Sequence, residues 1–93
     1  MPVFPVLNPA VELRDVGDEV LVHDMQRDQI HVLNATAGWV LRACDGRQSL
    51  EDISRALAGL TDEEVARVAD DVARIVGEFG KLGVVTLGEA ATA

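Results

Sequence analysis

The stretch Gln29-Ile30-His31-Val32-Leu33-Asn34-Ala35-Thr36-Ala37-Gly38 decides the fold. Its first five residues alternate, with Ile30 and Val32 on one face and Gln29, His31 and Leu33 on the other, the pattern of a half-buried strand. Asn34 then offers a side-chain oxygen to the first turn of a helix. That helix runs to about Cys44, with Trp39, Val40 and Leu41 as its bulk, and Asp45-Gly46 is its stop.

Upstream, the same period of two appears twice more. Ala10–Arg14 places Val11 and Leu13 on one face, and Glu19–His23 places Val20 and Val22 on one face. Asp15–Asp18 supplies Gly17 for a turn, and Asp24–Asp28 is a polar connection. Putting Val20 and Val22 on the face of Ile30 and Val32 sets Val22 across from Val32, and His23 opposite His31 on the non-core face. The product is a three-stranded antiparallel meander that needs helices over its apolar face. Residues 1–9, with Pro2, Pro5 and Pro9, read as an extended N-terminal arm.

Downstream, two more helices follow. Ser49 with Asp52 forms a variant capping box for a second helix with a Leu50, Ile53, Leu57 stripe, ended by Gly59. Thr61 with Glu64 is a regular capping box for a long third helix, with Asp62 and Glu63 in its first turn and Gly83 after Leu82 as terminator. Val84–Leu87 adds a short extended segment, and residues 88–93 read as a flexible tail. The fold class is α+β, a three-stranded antiparallel sheet followed by three helices, in one domain over residues 10–87.

Composition narrows the function. The 93 residues suffice for one core, and 48% hydrophobic content with 3% aromatic makes that core mainly Val, Leu, Ile and Ala. Asp and Glu number 16 against 8 Lys and Arg, a net charge of −8, which argues against nucleic acid and anionic membrane as partners. No apolar run approaches the ~20 residues of a membrane span, and Met1–Pro9 lacks the basic start of a secretory signal. The single Cys44 forms no intrachain disulfide and reads as cytosolic.

The third helix carries two adjacent sectors. Val65, Val68, Val72, Ile75, Val76, Phe79 and Leu82 form a bulky one, and Ala66, Ala69, Ala73, Gly77 and Gly80 a small-residue one. The bulky sector is expected to bury in the core. The small one is either close internal packing or the wall of a shallow groove beside the strand edge Gln29–Leu33, which has neither Pro nor carboxylate to blunt it.

His31 to Ala37, followed by Val40-Leu41 and Cys44-Asp45-Gly46, resembles the pyrroloquinoline quinone synthesis protein D (PqqD) family. Asp52-Ile53 and Asp71-Val72 fall where that family's later helices carry similar pairs. The resemblance spans about Pro9 to Val85. It implies a winged-helix-like fold and a peptide-recognition element for ribosomally made, post-translationally modified peptides. The leader of a precursor peptide is then expected as a fourth strand, presented to a maturase, often a radical S-adenosylmethionine enzyme. Carried over, the binding residues are Gln29, Ile30, His31, Val32 and Leu33 with Ala69, Ala73, Val76 and Gly80. From charge alone, Asp70, Asp71, Arg74 and Glu78 are expected to form an electrostatic rim that steers a basic or mixed-charge segment.

Catalytic and metal chemistry find no constellation here. Cys44 reads as a buried small hydrophobe, His23 and His31 have no third ligand, and Asp62 to Glu64 are helix-start residues. No cofactor and no metal are expected. The alternatives are a dimerising scaffold, its groove filled by a second copy as a homodimer, and a DNA-binding winged helix, which the acidic charge disfavours.

Overall fold

The computed structural model describes residues 3–89. Five strands and three helices follow in order: β1 (Val3–Leu7), β2 (Val11–Val16), β3 (Glu19–Asp24), β4 (Gln29–Leu33), α1 (Ala35–Ala43), α2 (Leu50–Thr61), α3 (Val65–Leu82) and β5 (Val85–Glu89). β2, β3 and β4 make the expected antiparallel meander in that order, and three helices follow it. The arm and the C-terminal segment do more than extend. Val3–Leu7 pairs antiparallel with Val85–Glu89 from Val3↔Glu89 to Leu7↔Val85, a second sheet of two strands. β5 therefore takes in Gly88 and Glu89, which the sequence assigns to a tail; residues 90–93 lie outside the described residues.

The β3–β4 register corrects the expected parity. Val22 faces His31, Leu21 faces Val32 and His23 faces Ile30, so His23 is not opposite His31. Val20 and Val22 are buried, while Ile30 and Val32 lie on the opposite face, 61% and 57% exposed. The physical reason is Asp24. Its carboxylate accepts hydrogen bonds from the Gln26 N–H at 3.0 Å and the Arg27 N–H at 3.2 Å, and pairs with the Arg27 guanidinium at 3.1 Å. That knot closes a loop over residues 25–28 on the pair Asp24↔Gln29 and turns Asp24 fully inward. Once Asp24 is inward and opposite Gln29, alternation carries His31 and Leu33 inward and Ile30 and Val32 outward.

The helix caps follow local chemistry where it is strong. Asn34 caps α1 by accepting from the Ala37 N–H at 2.8 Å, and Ser49 and Asp52 make the reciprocal box at α2. The junction of α2 and α3 differs from expectation. α2 passes through Gly59 to Thr61, whose hydroxyl donates to Leu57 O, and stops at Asp62 in the left-handed region, φ 56°. The Glu63 N–H then bonds back to Ala58 O at 3.2 Å. Asp62 and Glu63 thus end one helix rather than start the next, and α3 begins without a side-chain cap. Gly83 ends α3 at φ 80°, as expected.

α1, α2 and α3 cover the inner face of the meander. α3 buries Val68, Val72, Val76 and Phe79 against Val20, Val22, Leu41 and Ile53 in one core. Burying such side chains contributes about 1.5–3 kcal/mol each, on the order of 6–12 kcal/mol for the four, which makes α3 a fixed wall. α1 comes closest to the sheet at Gly38, where a Cβ would overlap Val20 Cγ2 and lie 2.9 Å from Val20 Cβ.

Gly38→Ala and Gly59→Ala should therefore have opposite effects in urea unfolding. A Cβ at Gly59 meets nothing within 4 Å, so the change should stabilise by about 1 kcal/mol through helix propensity. At Gly38 the overlap should cost about 1–3 kcal/mol, reversing that gain. A Gly38→Ala variant as stable as the Gly59→Ala variant would contradict the packing of α1 on β3.

Candidate functional site

β4 is an open edge, and the register shows which of its groups are free. Val16 and Glu19 close the two-residue turn Gly17-Asp18, with Gly17 at φ 62°. The closing pair of such a turn exchanges both main-chain bonds, and bonded pairs then alternate along the ladder. Leu21 and His23 therefore direct their N–H and C=O to β2, and Val20, Val22 and Asp24 direct theirs to β4. There Leu33, His31 and Gln29 answer them. Ile30 and Val32 remain, with N–H and C=O turned to the edge, where no further strand lies among the described residues. Few residues could be less obstructive: the strand has no Pro and no charge of fixed sign.

A groove runs beside this edge. α3 supplies its far wall through Ile75, Phe79 and Leu82, with Asp71, Arg74 and Glu78 along the rim. Bounded also by Leu33, the start of α1 and the end of α2, it has a volume of about 450 Å3. Nearer the loop, His31 sits in a recess with Val22, Leu41, Phe79, Leu82 and Val84 that is too tight for a water. Its Nε2 is buried there without a hydrogen-bond partner among the described residues. Such an atom costs about 1–3 kcal/mol, so the surrounding packing holds the ring in place against that cost. At the loop end, Arg27 Nη1 also donates to Leu82 O at 3.3 Å, tying the β3–β4 hairpin to the last turn of α3.

The residues expected from sequence divide. Leu33 lines the groove and His31 its tight recess, while Gln29, Ile30 and Val32 stand exposed along the edge. Asp71, Arg74 and Glu78 line the rim, whereas Asp70 is exposed outside it. Val76 is core, and Ala69 and Ala73 do not line the groove. Gly80, with Gly77, borders a separate hollow beside Arg27, Lys81, Thr86 and Leu87. The small-residue sector is thus one flank of α3 and the groove wall is the other. The sequence shows both flanks but not which one faces β4. Glu63, Thr61, Leu57 and Thr36 join the groove only because the ends of α1 and α2 meet there.

The charged and reactive groups are quiet. Arg74 lies 3.6 Å from Asp71, and Glu63 and Glu78 have no ion-pair partner among the described residues. Burial, with the Asp45 carboxylate beside it, pushes the Cys44 thiol up to about 12, and its Sγ donates to Val40 O at 3.2 Å. The thiol is therefore protonated and inert at neutral pH. Among the described residues no group of three or more His, Cys, Asp or Glu is placed to hold a metal ion, and no helix is long and apolar enough to cross a membrane.

A three-stranded meander whose β4 edge ends beside an apolar groove walled by a helix, with three helices following the sheet, defines a winged-helix-like domain. The chain belongs to the coenzyme PQQ synthesis protein D (PqqD) family, whose sequence profile matches residues 11–85. Two solved structures are similar in fold. One is TbiB1 in complex with the TbiA(beta) leader peptide, at 17% identity and TM-score 0.79, covering 92% of this chain and 99% of that one. The other is a lasso peptide synthetase B1 complexed with the leader peptide, at 21% identity and TM-score 0.76, covering 89% and 98%. A comparison with curated protein sequences gave no match.

The hairpin that presents the edge is sensitive to acid. Burial pulls the Asp24 carboxyl upward, but the Arg27 N–H, the Arg27 guanidinium and the Gln26 N–H outweigh it and hold the group below the usual 3.8. A depressed native value means the stabilisation is complete above 3.8 and is lost as pH falls through that lower value. The urea midpoint should drop over that range, with amide protection across residues 24–29 lost first. Asp24→Asn should be less stable at neutral pH and show a shallower acid slope. An unchanged slope would place the acid-sensitive group elsewhere.

Proposed function

We propose that this chain is a non-catalytic peptide-binding element of a ribosomal peptide-modification pathway. It takes the leader of a precursor peptide as a fourth strand on β4 and presents it to a modifying enzyme. The observation that carries this reading is the open main chain of Ile30 and Val32 beside the groove walled by Ile75, Phe79 and Leu82. Main-chain bonds to the edge give affinity without regard to sequence, and the groove selects side chains on alternate residues. Family membership and the leader peptides bound by the two similar structures support it.

Geometry sets the form of the bound segment. Its residues opposite His31 and Leu33 face the groove and are apolar, and those opposite Ile30 and Val32 face outward. The chain's net charge of −8 and the rim acids Asp71 and Glu78, with Asp70 nearby, draw in a basic segment from a distance. The modifying enzyme, of the radical S-adenosylmethionine type in much of this family, then acts on the part of the precursor outside the groove. The unpaired, inert Cys44 fits a cytosolic setting.

Val32→Pro and His31→Pro separate edge binding from folding. Proline at 32 removes only an outward N–H, so the domain should stay folded and lose leader binding by at least tenfold. Proline at 31 removes a bond to β3 and should unfold or strongly destabilise the chain. Fluorescence anisotropy with the leader encoded beside this chain's gene reads binding, and circular dichroism reads the fold. Stopped-flow association should slow with added salt while dissociation from the edge changes little. Full binding by a folded Val32→Pro variant would overturn strand addition on β4.

A further inference from the structure

The two inward residues of β4 meet different spaces. Leu33 borders the open groove, about 450 Å3 in volume, with Leu57, Ile75 and Phe79 around it. His31 instead closes a recess with Val22, Leu41, Phe79, Leu82 and Val84 that has no room for a water. Leu82 is the outer wall of that recess, and burial alone does not fix it, since it is 39% exposed. Its main chain is held from outside the helix. The last carbonyls of a helix have no partner within it. Here Leu82 O accepts from Arg27 Nη1 at 3.3 Å, and Gly83 O accepts from Asn8 Nδ2 at 3.2 Å. Val84 O, just beyond, accepts from the Asn8 N–H at 2.9 Å. Arg27 is itself anchored, its Nη1 lying 3.1 Å from Oδ2 of the buried Asp24. A Cβ at Gly83 would overlap that Nη1, so the chain leaves α3 directly against the guanidinium.

We propose that Arg27 is a positioning residue that sets the size of the peptide side chain accepted opposite His31. By drawing the Leu82 turn onto the β3–β4 hairpin it keeps the recess shut. That position then takes Gly or Ala, and large side chains are left to the position opposite Leu33. Cross-strand neighbours on one face of a sheet touch each other. A bulky residue opposite His31 would therefore have to displace Leu82 and stretch its bond to Arg27. The position opposite Leu33 has open volume and meets no such conflict. The inference rests on the strand-addition reading and adds an order of side-chain sizes to it.

Selection of a randomised peptide library on the intact immobilised chain tests it, followed by NMR of the selected peptides in complex. Amide protection at Ile30 and Val32 identifies peptides seated on β4, and nuclear Overhauser contacts to His31 identify the residue opposite it. That residue should be Gly or Ala. Replacing it by Leu should weaken binding to the wild-type chain about tenfold. The Leu peptide should also shift the Arg27 guanidinium resonance, which the selected peptide leaves in place. Leu82→Ala removes the wall, and Arg27→Lys keeps a cation beside Asp24 without a fork that also reaches the Leu82 carbonyl. In both, the Leu peptide should bind within about twofold of the selected one. A merely structural role would weaken both peptides alike. A bulky residue opposite His31 in the selected peptides, or an undiminished Leu penalty in Leu82→Ala, would overturn the size order. An unmoved Arg27 resonance with the Leu peptide, or a full penalty in a folded Arg27→Lys, would overturn the role of Arg27. Either result leaves strand addition standing, whereas selected peptides that never protect Ile30 and Val32 would overturn both.

Discussion

The buried Asp24 carboxylate is the contact on which the rest of this structure depends. It gathers the Gln26 and Arg27 N–H groups and the Arg27 guanidinium, and so fixes a four-residue loop and the pair Asp24↔Gln29. A loop one residue longer or shorter would turn every side chain of β4 to the other face. Ile30 and Val32 would then be core, and the edge would offer the main chain of a different set of residues. The chemistry of one loop therefore decides which groups of β4 are available to a partner.

The same loop positions the other wall. Arg27 bridges Asp24 and the carbonyl of Leu82, joining the hairpin to the C-terminal turn of α3, where Gly83 leaves room for the guanidinium. Val68, Val72, Val76 and Phe79 anchor the length of α3 in the core. Edge and wall thus belong to one rigid unit, and the groove is already formed in the chain alone. A preformed groove removes part of the ordering cost that a short, flexible segment brings to binding.

The features legible in the sequence were those set by neighbours in the chain. Asn34, the Ser49 and Asp52 box, and Gly83 all cap helices as their local chemistry dictates. The order of meander and helices followed from a change in hydrophobic period. What failed was decided at longer range. Gln29 to Leu33 carries apolar residues on both faces, so hydrophobicity alone chose Ile30 and Val32 for the core, against the loop geometry that Asp24 imposes. Thr61 and Glu64 match a capping box, yet Asp62 in the left-handed region ends α2 there and uses the site differently. The pairing of β1 with β5 joins the two ends of the described chain, which no local pattern reveals. On α3, alternate flanks of one helix are chemically plausible walls, and only the placement of β4 selects Ile75 and Leu82 over Ala69 and Ala73.

Amide hydrogen exchange read by NMR, with and without bound leader, tests the central claim most directly. The account predicts that Ile30 and Val32 exchange fast in the free chain while His31 and Leu33 are already protected by β3. Saturating leader should then slow Ile30 and Val32 selectively. Slow exchange at Ile30 and Val32 in the free chain, or a leader that protects β2 and leaves these two amides open, would contradict it.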